Sequence, residues 1–186
     1  INNRASGGCD LTIKNVDVKA TNIEVTESVR TDASAGINGI AGGILGTSHE
    51  SYHYLIEDCK VGSDATVISA NCAGGIVGKA ENRGSGTLQT ETSLFIRDCS
   101  ALASVSQTNA PTTDTLSLGD TVKRNTGAGA VIGVITTNAF VMNQTTKAPQ
   151  IQIKNVTAGG NVSGTFNVGG IVGEFASVQA ELYLLT

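Results

Sequence analysis

The residues His49-Glu50-Ser51-Tyr52-His53 fit the pattern H-E-x-x-H. In that pattern two imidazoles one helical turn apart hold zinc, and the glutamate acts as general base. The chemistry needs a helix, because only a helix puts residues four apart on one face. Here Gly46 lies just upstream, and the alternation Tyr54-x-Ile56 begins immediately after. That leaves no room for a helix. The segment reads as a polar turn, and His49 and His53 are expected to hold no metal. No cofactor is expected either.

A second chemistry would use carboxylates. Glycosidases hold two carboxyl groups about 5–5.5 Å apart for retention or about 6.5–9.5 Å for inversion. Asp58 and Asp98 occupy the same place in two related segments, Ile56-Glu57-Asp58-Cys59 and Ile96-Arg97-Asp98-Cys99. The matching places elsewhere hold Asn15 and Asn155. An amide cannot do acid–base work. Asn and Asp share a different talent: both tolerate left-handed backbone and bond nearby amides. A corner role therefore explains Asn15, Asp58, Asp98 and Asn155 together.

The four cysteines, Cys9, Cys59, Cys72 and Cys99, contain no C-x-x-C pair. A zinc knuckle or a thioredoxin-like site is therefore not indicated. Cys59 and Cys99 follow the corner at one repeat position. We expect these two to be free, buried thiols that pack as small hydrophobes, and a disulfide from Cys9 to another cysteine stays open. The glycosylation triplets at Asn143, Asn155 and Asn161 are near chance in a chain this rich in Ser and Thr. No glycine run is followed by Lys-Ser/Thr, so no Walker loop is present.

The elements that would position these groups come from repetition. One motif, Gly-small-aliphatic-aliphatic-Gly, occurs four times. Its copies are Gly42-Gly43-Ile44-Leu45-Gly46, Gly74-Gly75-Ile76-Val77-Gly78, Gly129-Ala130-Val131-Ile132-Gly133 and Gly169-Gly170-Ile171-Val172-Gly173. A second motif runs out of phase with it. It begins at Leu11-x-Ile13, Tyr54-x-Ile56, Leu94-x-Ile96 and Ile151-x-Ile153, and a further copy starts at Leu182-x-Leu184.

Within the second motif apolar residues alternate at period two, which marks a strand with one buried face. The alternation slips by one residue at the Asx position and then resumes, as at Val16 and Val18. In a straight strand such a slip would send later side chains to the opposite face. A bend at the Asx residue keeps both halves facing one interior. Each unit is thus expected to run strand, corner, strand, loop and glycine block.

Such a unit cannot bury its face alone and must stack on its neighbours. Stacked copies imply parallel strands about 4.8 Å apart, and parallel crossovers are nearly always right-handed. The expected fold is all-β: a right-handed parallel β-helix of about four coils over residues 1–186, with long inserted loops. The insertions are assigned to 28–36, 81–92, 106–127 and 138–149, rich in Ser, Thr and Asn. The glycines of the blocks are expected to mark corners or close backbone approach.

Composition agrees with this and narrows the function. The chain has 186 residues with 23 glycines, 4% aromatics and 15% charged residues. Hydrophobic residues at 40% suffice for a core. A net charge of −4, with basic residues scattered, argues against a nucleic-acid partner. No apolar run approaches the roughly 20 residues of a membrane span. The chain begins at Ile1 with no secretory leader pattern, and it reads as a piece of a longer repeat protein.

The glycine blocks resemble the GLUG-type repeat of bacterial surface adhesins and of the non-catalytic regions of IgA1-protease-like secreted zinc metalloproteases. The third block departs, with Ala130 in place of a glycine. The resemblance implies a secreted or cell-surface bacterial protein with a β-helical stalk or adhesive region, and it brings no catalytic residues.

The reading is a non-catalytic solenoid module that presents loops for adhesion or interaction. Its expected partners are a host or neighbouring-cell protein or glycan, with end-to-end contact to flanking coils. A polysaccharide lyase or glycoside hydrolase on the same fold is the alternative. An ice-binding β-helix is a weaker one, because no regular Thr-x-Thr ladder is present.

Overall fold

In a computed structural model, the described residues are 10–25, 39–48, 53–83, 93–108, 126–138, 150–165, 167–177 and 181–185. All regular structure among them is β. The chain winds through four coils of five strands each and begins a fifth. The first coil contains β1 (Asp10–Lys14), β2 (Asp17–Val18), β3 (Asn22–Val25), β4 (Ile40–Gly42) and β5 (Leu45–Ser48). The second contains β6 (His53–Glu57), β7 (Lys60–Val61), β8 (Thr66–Ser69), β9 (Cys72–Gly74) and β10 (Val77–Arg83). The third contains β11 (Ser93–Arg97), β12 (Ser100–Ala101), β13 (Ser104–Gln107), β14 (Gly127–Gly129) and β15 (Ile132–Asn138). The fourth contains β16 (Gln150–Lys154), β17 (Thr157–Ala158), β18 (Val162–Gly164), β19 (Val168–Gly169) and β20 (Val172–Ser177). The last strand, β21 (Glu181–Leu185), lies against β16.

Corresponding strands stack into five parallel sheets, which makes the molecule a parallel β-solenoid. We call them A to E in the order in which each coil visits them. Sheet A is β1-β6-β11-β16-β21, and the other four sheets have four strands each. The register follows the repeat. Ile13 pairs with Ile56, Ile56 with Ile96, Ile96 with Ile153 and Ile153 with Leu184. The partial repeat at Leu182-x-Leu184 is thus the fifth rung of sheet A.

Like side chains stack in the interior. Ile56 and Ile96, in the two middle coils, are fully buried. Burying an aliphatic side chain of this size contributes about 1.5–3 kcal/mol, and the ladder repeats that gain at every rung. One cluster gathers the inward residues of sheet A, the residues after the corner and those of sheet E. A second gathers those of sheets B, C and D, including Val61, Val67, Ala73 and Val105. Ile44 packs against both.

The structure alters the expected unit in two ways. A strand that the sequence reading left as loop lies between the second strand and the glycine block: β3, β8, β13 and β18. Its inward residues are Ile23 and Val25 in the first coil, Val67 and Ser69 in the second, and Val105 and Gln107 in the third. Ile23 and Val25 keep the apolar alternation in the first coil, but Ser69, Gln107 and Gly164 break it at the later position of the other three.

The insertions are also shorter than assigned. Residues 81–83 continue β10 and pair with 136–138 of β15. Ser106 and Gln107 belong to β13, where they pair with Ile68 and Ser69. Gly127 opens β14. Pairing between coils, invisible in local composition, holds these Ser-, Thr- and Asn-containing ends in strands. Apart from Thr108 and Thr126, the remainder of the four insertions lies outside the described residues.

Candidate functional site

The four Asx positions sit between the strands of sheet A and those of sheet B. Asn15, Asp58, Asp98 and Asn155 have φ of 57°, 54°, 52° and 52°, the left-handed region. Each turns the chain, so that the apolar residues on both sides face inward. Three of their amides pair with the next coil: Asn15 N–H donates to Glu57 O, Asp58 N–H to Arg97 O and Asp98 N–H to Lys154 O. Asn155 Nδ2 also donates to Asp98 Oδ1 at 2.9 Å. Asp58 and Asp98 therefore stand on neighbouring rungs as members of an exposed Asx column.

Behind each corner of the middle coils lies a thiol. Cys59 Sγ donates to Glu57 O at 3.2 Å, and Cys99 Sγ donates to Arg97 O at 2.9 Å. Both cysteines are buried and free, and Cys72 is buried as well. Burial pushes the Cys99 thiol up to about 11. It behaves as a packed neutral group, not as a nucleophile. Cys9 lies outside the described residues.

The glycine blocks form the turn from sheet D to sheet E. A Cβ on Gly74 would lie 1.9 Å from Val77 O, and one on Gly129 would lie 2.0 Å from Ile132 O. Gly42 and Gly169 meet Leu45 O and Val172 O in the same way. The closing glycines Gly78, Gly133 and Gly173 lie against backbone carbonyls of the preceding coil. Gly46, in the first coil, meets only Ile40 O, at 3.9 Å. The middle positions Gly43 and Gly75 face a carbonyl of the following coil, and Gly170 faces nothing within 4 Å. Ala130 is buried at the equivalent position of the third coil.

The outward face of sheet A carries the densest chemistry among the described residues. Outward residues alternate with the inward ladder, so the first, third and fifth positions of each strand lie on this side of the sheet, where Ser93 is itself buried. The first position reads Asp10, His53, Ser93 and Gln150 along the stack. The third reads Thr12, Leu55, Phe95 and Gln152, and the fifth reads Lys14, Glu57, Arg97 and Lys154.

Three contacts organise this face. His53 Nδ1 and Ser93 Oγ share a hydrogen bond of 2.8 Å. Lys14 forms an ion pair with Glu57, and that carboxylate raises the Lys14 pKa above its ordinary value, chiefly through the hydrogen bond. The Arg97 guanidinium stacks over the Phe95 ring, 4.7 Å from its centroid. Arg97 Nε is buried without a hydrogen-bond partner.

The column Asp10, His53, Ser93 brings together a carboxylate, an imidazole and a hydroxyl on successive rungs. Acyl transfer also needs N–H donors converging on the oxyanion. In sheet A the strand amides run along the stack into neighbouring rungs, where parallel pairing uses them. The face holds ring, guanidinium, imidazole and amide groups at positions set by the register of sheet A.

His53 opens β6 in extended conformation, so the helical requirement of H-E-x-x-H is not met there. His49 lies outside the described residues. No group of three or more metal-ligating side chains occurs among the described residues. Sequence reading missed Ser93, Asp10, Phe95 and Arg97. Their signal was present, because each holds a fixed offset from the aliphatic repeat. Aligning the repeats as columns places Ser93 beside His53 without any structure.

Searches of protein-family models, curated proteins and solved structures found no match to this chain.

Proposed function

We propose that this chain is a non-catalytic β-solenoid module of a secreted or cell-surface bacterial protein. It presents a binding surface for adhesion or interaction. The supporting observation is the outward face of sheet A, with Phe95 and Arg97 stacked beside the His53–Ser93 pair on a frame fixed by register. Rigid presentation lowers the ordering cost of binding. The insertions 84–92 and 139–149 enter sheet A immediately before Ser93 and Gln150. The likeness of the glycine blocks to GLUG-type repeats supports the surface location and the bacterial source. The partner class is a host or neighbouring-cell protein or glycan.

The test is to screen the protein on a glycan array and on matrix proteins beside Phe95→Ala and a variant lacking 84–92. Saturable binding that either change weakens supports the reading. A complete absence of binding reduces the module to a spacer.

A further inference from the structure

The edge of the fourth coil repeats, without completing them, the contacts that the first three coils make. At each sheet D to sheet E turn, two successive N–H groups donate to a single carbonyl of the next coil. Ile44 and Leu45 donate to Ile76 O, each at 3.0 Å. Ile76 and Val77 donate to Val131 O, each at 2.9 Å, and Val131 and Ile132 donate to Ile171 O, each at 3.0 Å. Ile171 and Val172 hold the same place in the fourth coil and find no such carbonyl among the described residues.

The glycine geometry repeats the pattern. The Cβ position of Gly43 lies 2.2 Å from Gly75 O, and that of Gly75 lies 2.0 Å from Ala130 O. Each is a recess filled by the next coil's carbonyl. The recess at Gly170 is empty to 4 Å. Side chains agree. Ala128, Val131 and Ile135 of the third coil are fully buried, whereas their fourth-coil counterparts Val168, Ile171 and Phe175 are 48%, 38% and 43% exposed. Sheet A is the exception. There β21 already forms a fifth rung in repeat register, and Ile151 and Ile153 beneath it are buried.

We propose that the fourth-coil edge is a docking face, and that its occupant is a fifth coil of the same repeat led in by β21. The recess at Gly170 and the paired turn donors fit a backbone carbonyl, which selects a glycine-block turn over a generic apolar surface. A second copy of the chain stacked end to end would need its β1 on β16, the place that β21 holds. This inference is independent of what the outer face of sheet A binds.

The experiment appends residues 58–97 directly after Leu185, in place of Thr186. Leu185 shares a column with Lys154, Arg97 and Glu57, so the added segment enters in register. Amide exchange at Ile171 and Val172 should slow by at least about a hundredfold, and the melting temperature should rise. The same extension with Gly74→Val and Gly75→Val in the added segment should give neither effect. Protected amides at Ile56 and Ile96 in every version show that the four-coil body is intact. No protection at Ile171 with either extension overturns the proposal. Concentration-dependent protection in the unextended protein, with a dimer in sedimentation, overturns it in favour of a second copy.

Discussion

Gln107 and Thr165 stand on neighbouring coils, and one amide oxygen joins them. Gln107 Oε1 accepts from the Thr165 N–H and from its hydroxyl, each at 3.1 Å. On the other side Gln107 Nε2 donates to Ala70 O at 2.9 Å. A single buried side chain thus ties the second, third and fourth coils together where sheet C turns toward sheet D.

Gln107→Leu keeps the volume but abandons Ala70 O and the Thr165 N–H. Leaving a buried backbone group such as Ala70 O unpaired costs about 1–3 kcal/mol, and the part-buried Thr165 N–H adds less. The expected loss is about 2–4 kcal/mol, read by urea unfolding. Thr165→Val removes one exposed hydroxyl and should cost under about 1 kcal/mol. Equal losses for the two variants would contradict the bridging role.

Glycines at different positions of the blocks should differ sharply in tolerance. Gly129→Ala would bring a methyl to 2.0 Å from Ile132 O, so this variant should lose more than about 3 kcal/mol or fail to fold. Gly170→Ala meets nothing within 4 Å and should stay within about 0.5 kcal/mol of the parent. Thermal melts of the pair decide the matter.

Asp98→Asn should leave stability nearly unchanged, because Asn holds the same left-handed corner in the first and fourth coils. Asp98→Val places a β-branched residue at φ 52° and should cost about 1–3 kcal/mol. The same Asp98→Asn protein tests the enzymatic alternative. We expect no turnover of acidic or neutral polysaccharides by the parent, and therefore none to lose. Turnover that Asp58→Asn or Asp98→Asn abolishes would reverse the functional reading.

Cys99 should make stability fall at alkaline pH. Its thiol ionises near 9 when unfolded, and burial in the fold raises that to about 11. Below pH 9 both states keep the proton, and the full stability is present. As pH rises from about 9 to about 11 the unfolded state sheds its proton first, so stability declines. Cys99→Ala or Cys99→Val should flatten that decline in chemical denaturation at pH 8, 9.5 and 11. Thiol reagents at pH 8 should label Cys99 only after unfolding.

Much of the architecture was legible in the sequence, because stacking forces like residues into like places. The isoleucine column and the glycine blocks repeat openly, and the slip at the Asx residues coincides with the left-handed corners. The third strand of each coil was not legible. Gln107 and Ser69 occupy inward positions there, and only their bonds to other coils make them acceptable inside. The outer face of sheet A was obscured for a different reason. Outward residues need not repeat, so His53 and Ser93 carry no motif of their own, and only alignment of the aliphatic repeats as columns brings them together.

The turn carbonyls that each serve two amides of the preceding coil also set how the molecule would answer a pull. Hydrogen bonds between coils run along the solenoid axis, so tension applied at the two ends loads them in series. The outermost coil would peel while the rest stayed folded. Each event would release one repeat; the one from Tyr54 to Leu94 holds 40 residues, roughly 140 Å of chain. The force trace would be a staircase, with its weakest step at the edge that carries Phe175.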